Sequence, residues 1–414
     1  MVTTFPGLDA RFISQNVFDP YKFDPMDVAQ VQKNNLLLDY DSAKRNSKSL
    51  RRLEGLIHQA TFCVRPMLED FFAEIQQWDT DHLWRETESA KHNCLRMVAL
   101  MLTGYCDMNC PVCFTDRKKN PWEMGFKETK KLLNQARKMG ATLVYTTGEG
   151  EPLYDNRFSQ IAEYVKKHGM SWIIFTNGLK IDEEFAKKYA DYPIYLYIKY
   201  WSADPQTFFE LTRPRVAFSE FKDQKLEPIE LEGRTIFAPR AISTLLRFWP
   251  SDRVGIEALV SNQNFDSVFQ NIIPYVLKNR LKIFIEPIIH SGGCACDHSI
   301  DLTKEQQDYS QPFYSRDENL CSLRHAYMAI VDNKGNLLEA QAIGQSVMEQ
   351  AGVPLQALRL VQSNGMVADL LERRYYDKTY GDLRRLLRYY PHCACNDFAS
   401  NTTLQEQVRQ TLPA

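Results

Sequence analysis

The sequence predicts an α/β fold: a partial (β/α)6 barrel with a helical N-terminal extension and a small, cysteine-bearing C-terminal domain. Three observations predict it. Through the middle of the chain, short β-rich runs alternate with amphipathic helical runs, which argues for a parallel sheet with helices outside it. Residues 1–95 are helical in period and aromatic-rich, and carry no chemical motif. Past about residue 292 the alternation stops and cysteines return.

The elements follow in order. Apolar residues at helical spacing mark 26–40, 42–60 and 67–78 in the extension. Strands are expected at 96–103, 142–146, 172–176, 194–199, 253–260 and 282–288. Helices are expected between and after them at 126–139, 158–167, 182–189, 205–212, 238–247 and 266–279. Gly140 supplies the stop after the first of these helices. Residues 213–235 break the alternation and read as an insertion, a lid or substrate loop. A hairpin follows at 328–331 and 336–339, turned by Asp332-Asn333-Lys334-Gly335. Helical patterns close the chain at 345–350, 353–362, 367–376 and 382–390. Three domains result: 1–95, 96–290 and 291–414.

Composition narrows the function classes. A chain of 414 residues with 44% hydrophobic content can bury a substantial core. Fifty basic residues against 52 acidic ones leave a net charge of -2, which gives no general pull toward nucleic acid or an anionic membrane. Arg373, Arg374, Arg384, Arg385 and Arg388 read as a solvated helix face. No run is apolar enough to span a membrane and no signal-peptide pattern opens the chain, so the expected location is the cytoplasm. In that reducing compartment clustered thiols among the 10 cysteines are metal ligands or catalytic groups rather than disulfides. Cys63 and Cys94 are isolated and read as ordinary buried cysteines.

The chemistry concentrates after the first strand, in Gly104-Tyr-Cys-Asp-Met-Asn-Cys-Pro-Val-Cys-Phe114. Cys106, Cys110 and Cys113 can converge on one inorganic centre from a loop at a strand's carboxyl end, where α/β folds place their sites. Three thiolates suit an iron–sulfur cluster with one open iron. Zinc is the competitor and would need a fourth ligand.

This loop resembles that of the radical S-adenosylmethionine (radical SAM) superfamily. The resemblance implies a [4Fe–4S] cluster on Cys106, Cys110 and Cys113, whose open iron chelates S-adenosylmethionine. It implies reductive cleavage of that molecule and abstraction of a substrate hydrogen atom by the 5′-deoxyadenosyl radical. Phe114 matches the aromatic that packs beside the adenine. Gly148-Glu-Gly-Glu-Pro152, after the second strand, is similar to the family's glycine-rich segment, with Glu149 in place of its first glycine. Gly148, Glu149, Gly150 and Glu151 are therefore expected at the cofactor. Asn177 of Thr176-Asn-Gly178 is expected there too, as is Ser202, in preference to Lys199, after the fourth strand. Glu257 and Asn262 from the fifth strand, and Glu286 from the sixth, are further cofactor or substrate groups.

The last domain carries Cys294, Cys296, Cys321, Cys393 and Cys395, too many thiols for chance burial in so small a unit. A second [4Fe–4S] cluster is expected, or a structural zinc, with His298, His325 and His392 as substitute ligands. The domain resembles the SPASM or twitch extensions of radical SAM enzymes, although Leu338-Glu-Ala-Gln341 stands where they carry a cysteine. The expected function is hydrogen abstraction from a small polar substrate, ending in dehydrogenation, epimerisation or rearrangement. The resemblance implies an electron donor such as flavodoxin or ferredoxin. Modification of a ribosomal peptide or protein is the alternative within the class. A non-catalytic iron–sulfur or zinc protein is the alternative outside it.

Overall fold

The computed structural model describes residues 95, 97–113, 123–146, 148–288, 298–310, 328–338, 359–362 and 370–375. The N-terminal extension, Phe114, Cys294, Cys296, Cys321, Cys393, Cys395, His325, His392 and the helical patterns at 345–350 and 382–390 lie outside the described residues.

All six expected strands form. They are β1 (Met97–Leu100), β2 (Leu143–Thr146), β3 (Ser171–Thr176), β4 (Ile194–Lys199), β7 (Val254–Val260) and β8 (Lys282–Pro287). β5 (Leu226–Leu231) and β6 (Arg234–Pro239) lie between β4 and β7. β9 (Met328–Val331) and β10 (Leu337–Leu338) follow. The main sheet runs β10-β9-β1-β2-β3-β4-β7-β8, parallel throughout except for β10. β1 and β7 are buried along their whole length, as parallel strands covered on both faces must be. The sheet is curled. Phe175 of β3 and Phe284 of β8 touch at 5.0 Å between ring centroids, although a flat sheet would hold strands three apart at roughly 14 Å. Inside the curl, Met97, Met101, Ile173 and Tyr197 form a core layer beside Tyr145, Phe175 and Phe284. Outside, a larger core packs the sheet against its helices.

The helix Phe126–Lys138 buries Leu132, Leu133 and Ala136, and ends at Gly140 with φ 103°, the left-handed stop expected there. Phe265–Ser267 and Ile273–Asn279 are joined by a π-helical turn, Val268–Ile272. Pro274 explains it: its ring cannot accept a regular turn against the carbonyl of Gln270. That carbonyl takes a bond from Arg234 instead, at 3.3 Å.

Three expectations are corrected. The insertion is ordered: a helix, Phe218–Lys225, runs into the antiparallel β5–β6 hairpin. Its turn is Glu232-Gly233, both at positive φ, the conformation a two-residue hairpin demands. The following helix starts at Arg240 rather than 238, because Ala238 and Pro239 belong to β6. The hairpin expected at 328–331 and 336–339 forms as β9 and β10, and β9 pairs in parallel with β1 from Met97↔Met328 to Leu100↔Val331. Finally, 359–362 are not helical. Arg359 bridges Asn336, and Leu360 and Val361 donate to Gly335 O, so pairing with the hairpin overrides local helical period. One helix, Lys304–Ser310, had no expectation, although Thr303 and Gln306 form the reciprocal capping bonds that open it.

Candidate active site

The cysteine loop leaves β1 and crosses the carboxyl end of the sheet, gripped from several sides. Asp107 accepts from Asn177 Nδ2 at 2.6 Å and from the Tyr154 hydroxyl at 2.9 Å. Asn109 N donates to Thr212 O and Arg213 O, and Arg215 N donates to Asp107 O. Gly104 N donates to Glu123 at 2.7 Å, and Met124 N reaches Asn333 O in the β9–β10 turn at 2.8 Å. The insertion thus holds the loop by its backbone, and none of residues 213–235 lines the cavity described below.

The glycine-rich segment packs directly on this loop. A Cβ on Gly150 would lie 2.1 Å from Thr103 O and 2.5 Å from Tyr105 O, and its φ is +73°. Gly150 is therefore required for backbone-to-backbone approach. Next to it, Glu151 N donates to Tyr105 O at 2.7 Å. The Glu151 carboxyl is buried and accepts from Thr176 Oγ1 at 2.5 Å, Asn177 N at 2.7 Å and Leu153 N at 3.1 Å. Burial pushes it up to about 7, and those donors restrain the rise. Glu151 thus ties the second and third strand ends together under the cysteines.

Between loop and sheet lies a cavity of about 100 Å³ that opens to solvent. Cys106, Cys110 and Cys113 rim it, with Gly148, Gly150 and Asn177 beside them. Its floor carries Lys199, Trp201, Glu257 and Glu286 above the aromatic layer of Phe175, Tyr197 and Phe284. Gly255 makes that layer possible, since a Cβ there would meet the Tyr197 ring at 2.6 Å. The Lys199 ammonium lies 3.6 Å from Cys110 Sγ and 4.1 Å from the Trp201 ring centroid. Burial disfavours its charge, but the electrostatic pull of the cysteine loop, Cys110 first, outweighs that and holds it above the usual lysine range. Glu257 receives the Trp201 indole N–H at 3.2 Å. Burial pushes Glu257 up to about 8, opposed by Lys199 and reinforced by Glu286, so it keeps a proton at neutral pH.

The expected residues separate into two groups. Cys106, Cys110, Cys113, Gly148, Gly150, Glu151, Asn177, Glu257 and Glu286 meet at the cavity. Glu149, Ser202 and Asn262 do not line it. Ser202 is buried against Ser267 at 3.2 Å and caps Asp204 N. Asn262 bonds Ser299 O and Ile300 O. Lys199 ends β4 and lines the cavity, whereas Ser202 lies past the strand. Asp107, Tyr154 and Trp201 were not foreseen. Asp107 lies inside the motif, and only Tyr154 and Asn177 reveal its purpose.

The donor set fits a cluster. Among the described residues no three His, Cys, Asp or Glu side chains converge where one ion could sit. Three thiols rim the cavity, the donor type that iron–sulfur clusters take, and Cys106 Sγ also accepts from Met108 N at 3.4 Å. Among the described residues no helix is long and apolar enough to cross a membrane.

Residues 100–231 match the family model of the Radical SAM superfamily. Residues 100–231 thus carry a radical SAM domain, and enzymes of that superfamily use a [4Fe–4S] cluster and S-adenosylmethionine. Among curated relatives, Fe-coproporphyrin III synthase of Methanosarcina barkeri is 31% identical over 94 residues, 22% of this chain and 23% of the relative. The tungsten-containing aldehyde ferredoxin oxidoreductase cofactor-modifying protein of Pyrococcus furiosus is 31% identical over 103 residues, 23% of this chain and 28% of the relative. These matches span about a quarter of the relatives' length. Streptococcus suis SuiB, solved with its precursor peptide SuiA, shares the fold at TM-score 0.53 and 14% identity, over 76% of this chain and 72% of SuiB.

Proposed function

We propose that this chain cleaves S-adenosylmethionine reductively and uses the resulting radical to take a hydrogen atom from a small polar substrate. The observation that carries the reading is the single cavity rimmed by Cys106, Cys110 and Cys113 and floored by ionisable side chains. Those cysteines would hold the [4Fe–4S] cluster, which supplies the electron that breaks the sulfonium bond. Gly150 and Glu151 fix the loop that presents them. Lys199, Glu257 and Glu286 give the floor hydrogen-bonding groups of both kinds, which suits a polar substrate better than a hydrocarbon. The outcome fits a dehydrogenation, epimerisation or rearrangement. An electron donor of the flavodoxin or ferredoxin type would feed it. The peptide in SuiB belongs to SuiB, and a likeness at 14% identity supports the fold rather than the substrate.

The proposal includes a second cluster held by four of Cys294, Cys296, Cys321, Cys393 and Cys395, supported by their number and spacing. It also includes the domain limits 1–95, 96–290 and 291–414, with the β9–β10 hairpin as the part of the last domain that completes the barrel sheet. Anaerobic reconstitution with iron and sulfide counting tests the clusters: about eight irons mean two cubanes and about four mean one. With reductant and S-adenosylmethionine, the cluster-loaded chain should release 5′-deoxyadenosine, and Cys106→Ala, Cys110→Ala or Cys113→Ala should abolish the release. Undiminished release from those variants would overturn the reading.

A further inference from the structure

Lys199 has a place in the site that binding a substrate does not explain. It ends β4, and its ammonium reaches toward the cysteine loop rather than only into the open cavity. Cys110 Sγ, at 3.6 Å, is within reach of a charged N–H···S bond. The Trp201 face lies 4.1 Å away, and Glu257 is anchored by the same indole at 3.2 Å. Cys110 is itself 5% exposed, so little solvent screens the pair.

We infer that Lys199 sets the reduction potential of the cluster by donating a charged hydrogen bond to the ligand sulfur of Cys110. The inference rests on the proposed ligation of a [4Fe–4S] cluster by Cys106, Cys110 and Cys113. Reduction adds one electron to the cluster. A cation and an N–H donor at a ligand sulfur stabilise the added negative charge, and hydrogen bonds to sulfur and net charge are known determinants of cluster potential. Lys199 therefore makes the cluster easier to reduce before any ligand enters. It is a positioning and tuning residue for the electron step, not a group that touches the reacting atoms.

The experiment is a potentiometric titration of the reconstituted full chain, followed by electron paramagnetic resonance without S-adenosylmethionine. The signal to follow is the one that Cys110→Ala removes. At the wild-type midpoint, Lys199→Met should lower the ratio of reduced to oxidised cluster at least tenfold, which is 59 mV for a one-electron couple. Lys199→Arg, which keeps the charge, should stay within about twofold of wild type. If Lys199→Met fails to retain iron, Lys199→Gln is titrated in its place with the same expectation. An unchanged midpoint overturns the inference, and weakened S-adenosylmethionine binding alongside it would assign Lys199 to the ligand. Loss of iron from both neutral variants also overturns it, making the residue structural. A wild-type chain with no [4Fe–4S] signal would instead refute the proposed function.

Discussion

At the scale of single residues, one glycine shapes the site and one carboxyl gives it a pH signature. Gly150 admits no side chain because two carbonyl oxygens stand where its Cβ would go. Gly150→Ala should therefore displace the cysteine loop and cut iron retention after reconstitution several-fold, with melting lowered by about 1–3 kcal/mol. Glu257 carries a pH signature. Its folded value is raised from 4.5 to about 8, so the folded state holds a proton that the unfolded chain has lost. That proton favours folding below about 4.5, and stability falls as pH rises from there through about 8. Glu257→Gln mimics the protonated form. It should flatten the fall and exceed wild type at pH 8 by on the order of a few kcal/mol, read by denaturant melts across pH 5 to 9. A parallel pH profile in the variant would show that Glu257 is not the group responsible.

At the scale of elements, the barrel floor depends on how β4, β7 and β8 share space. Phe175 and Tyr197 stack at 4.7 Å and 13°, and Gly255 on the neighbouring strand leaves room for the Tyr197 ring. Gly255→Ala should overpack this layer and cost about 1–3 kcal/mol, measured by thermal melting, while leaving the thiols intact. Tyr197→Leu in the same chain should recover part of the loss by vacating the space, and failure to recover would show that the strain lies in the backbone. Most of these elements were legible beforehand. Strand–helix alternation named the six parallel strands because a parallel strand needs an apolar run and a return helix. Gly140 marked a helix end for the same local reason. Residues 213–239 defeated the reading, since a helix and a polar-faced hairpin lack the strong periodic burial of barrel elements. The alternating exposure of β5 shows why.

At the scale of the whole molecule, the hairpin at 328–338 shows that the barrel does not end where the alternation does. β9 covers the edge of β1, the strand that launches the cysteine loop. Its turn supplies Asn333 to Met124 N and Glu123. A chain truncated after residue 290 should expose that edge and aggregate on size-exclusion chromatography. The milder Asn333→Ala should stay soluble but bind less iron than wild type. A monodisperse truncated chain with full iron content would show that the hairpin is dispensable to the site.

The sequence by itself determined the class of chemistry, because three thiols at fixed spacing after a strand are a local signal that survives without coordinates. It also placed Gly150, Glu151 and Asn177 near those thiols, since each follows its own strand's carboxyl end. The tertiary structure decided what each of them touches. Gly150 meets the loop backbone, Glu151 bridges two strand ends, and Lys199 rather than Ser202 faces the cysteines. The reason is geometric: a strand's period fixes which face a side chain takes, but only curling of the sheet brings faces 89 residues apart in sequence within 3.6 Å.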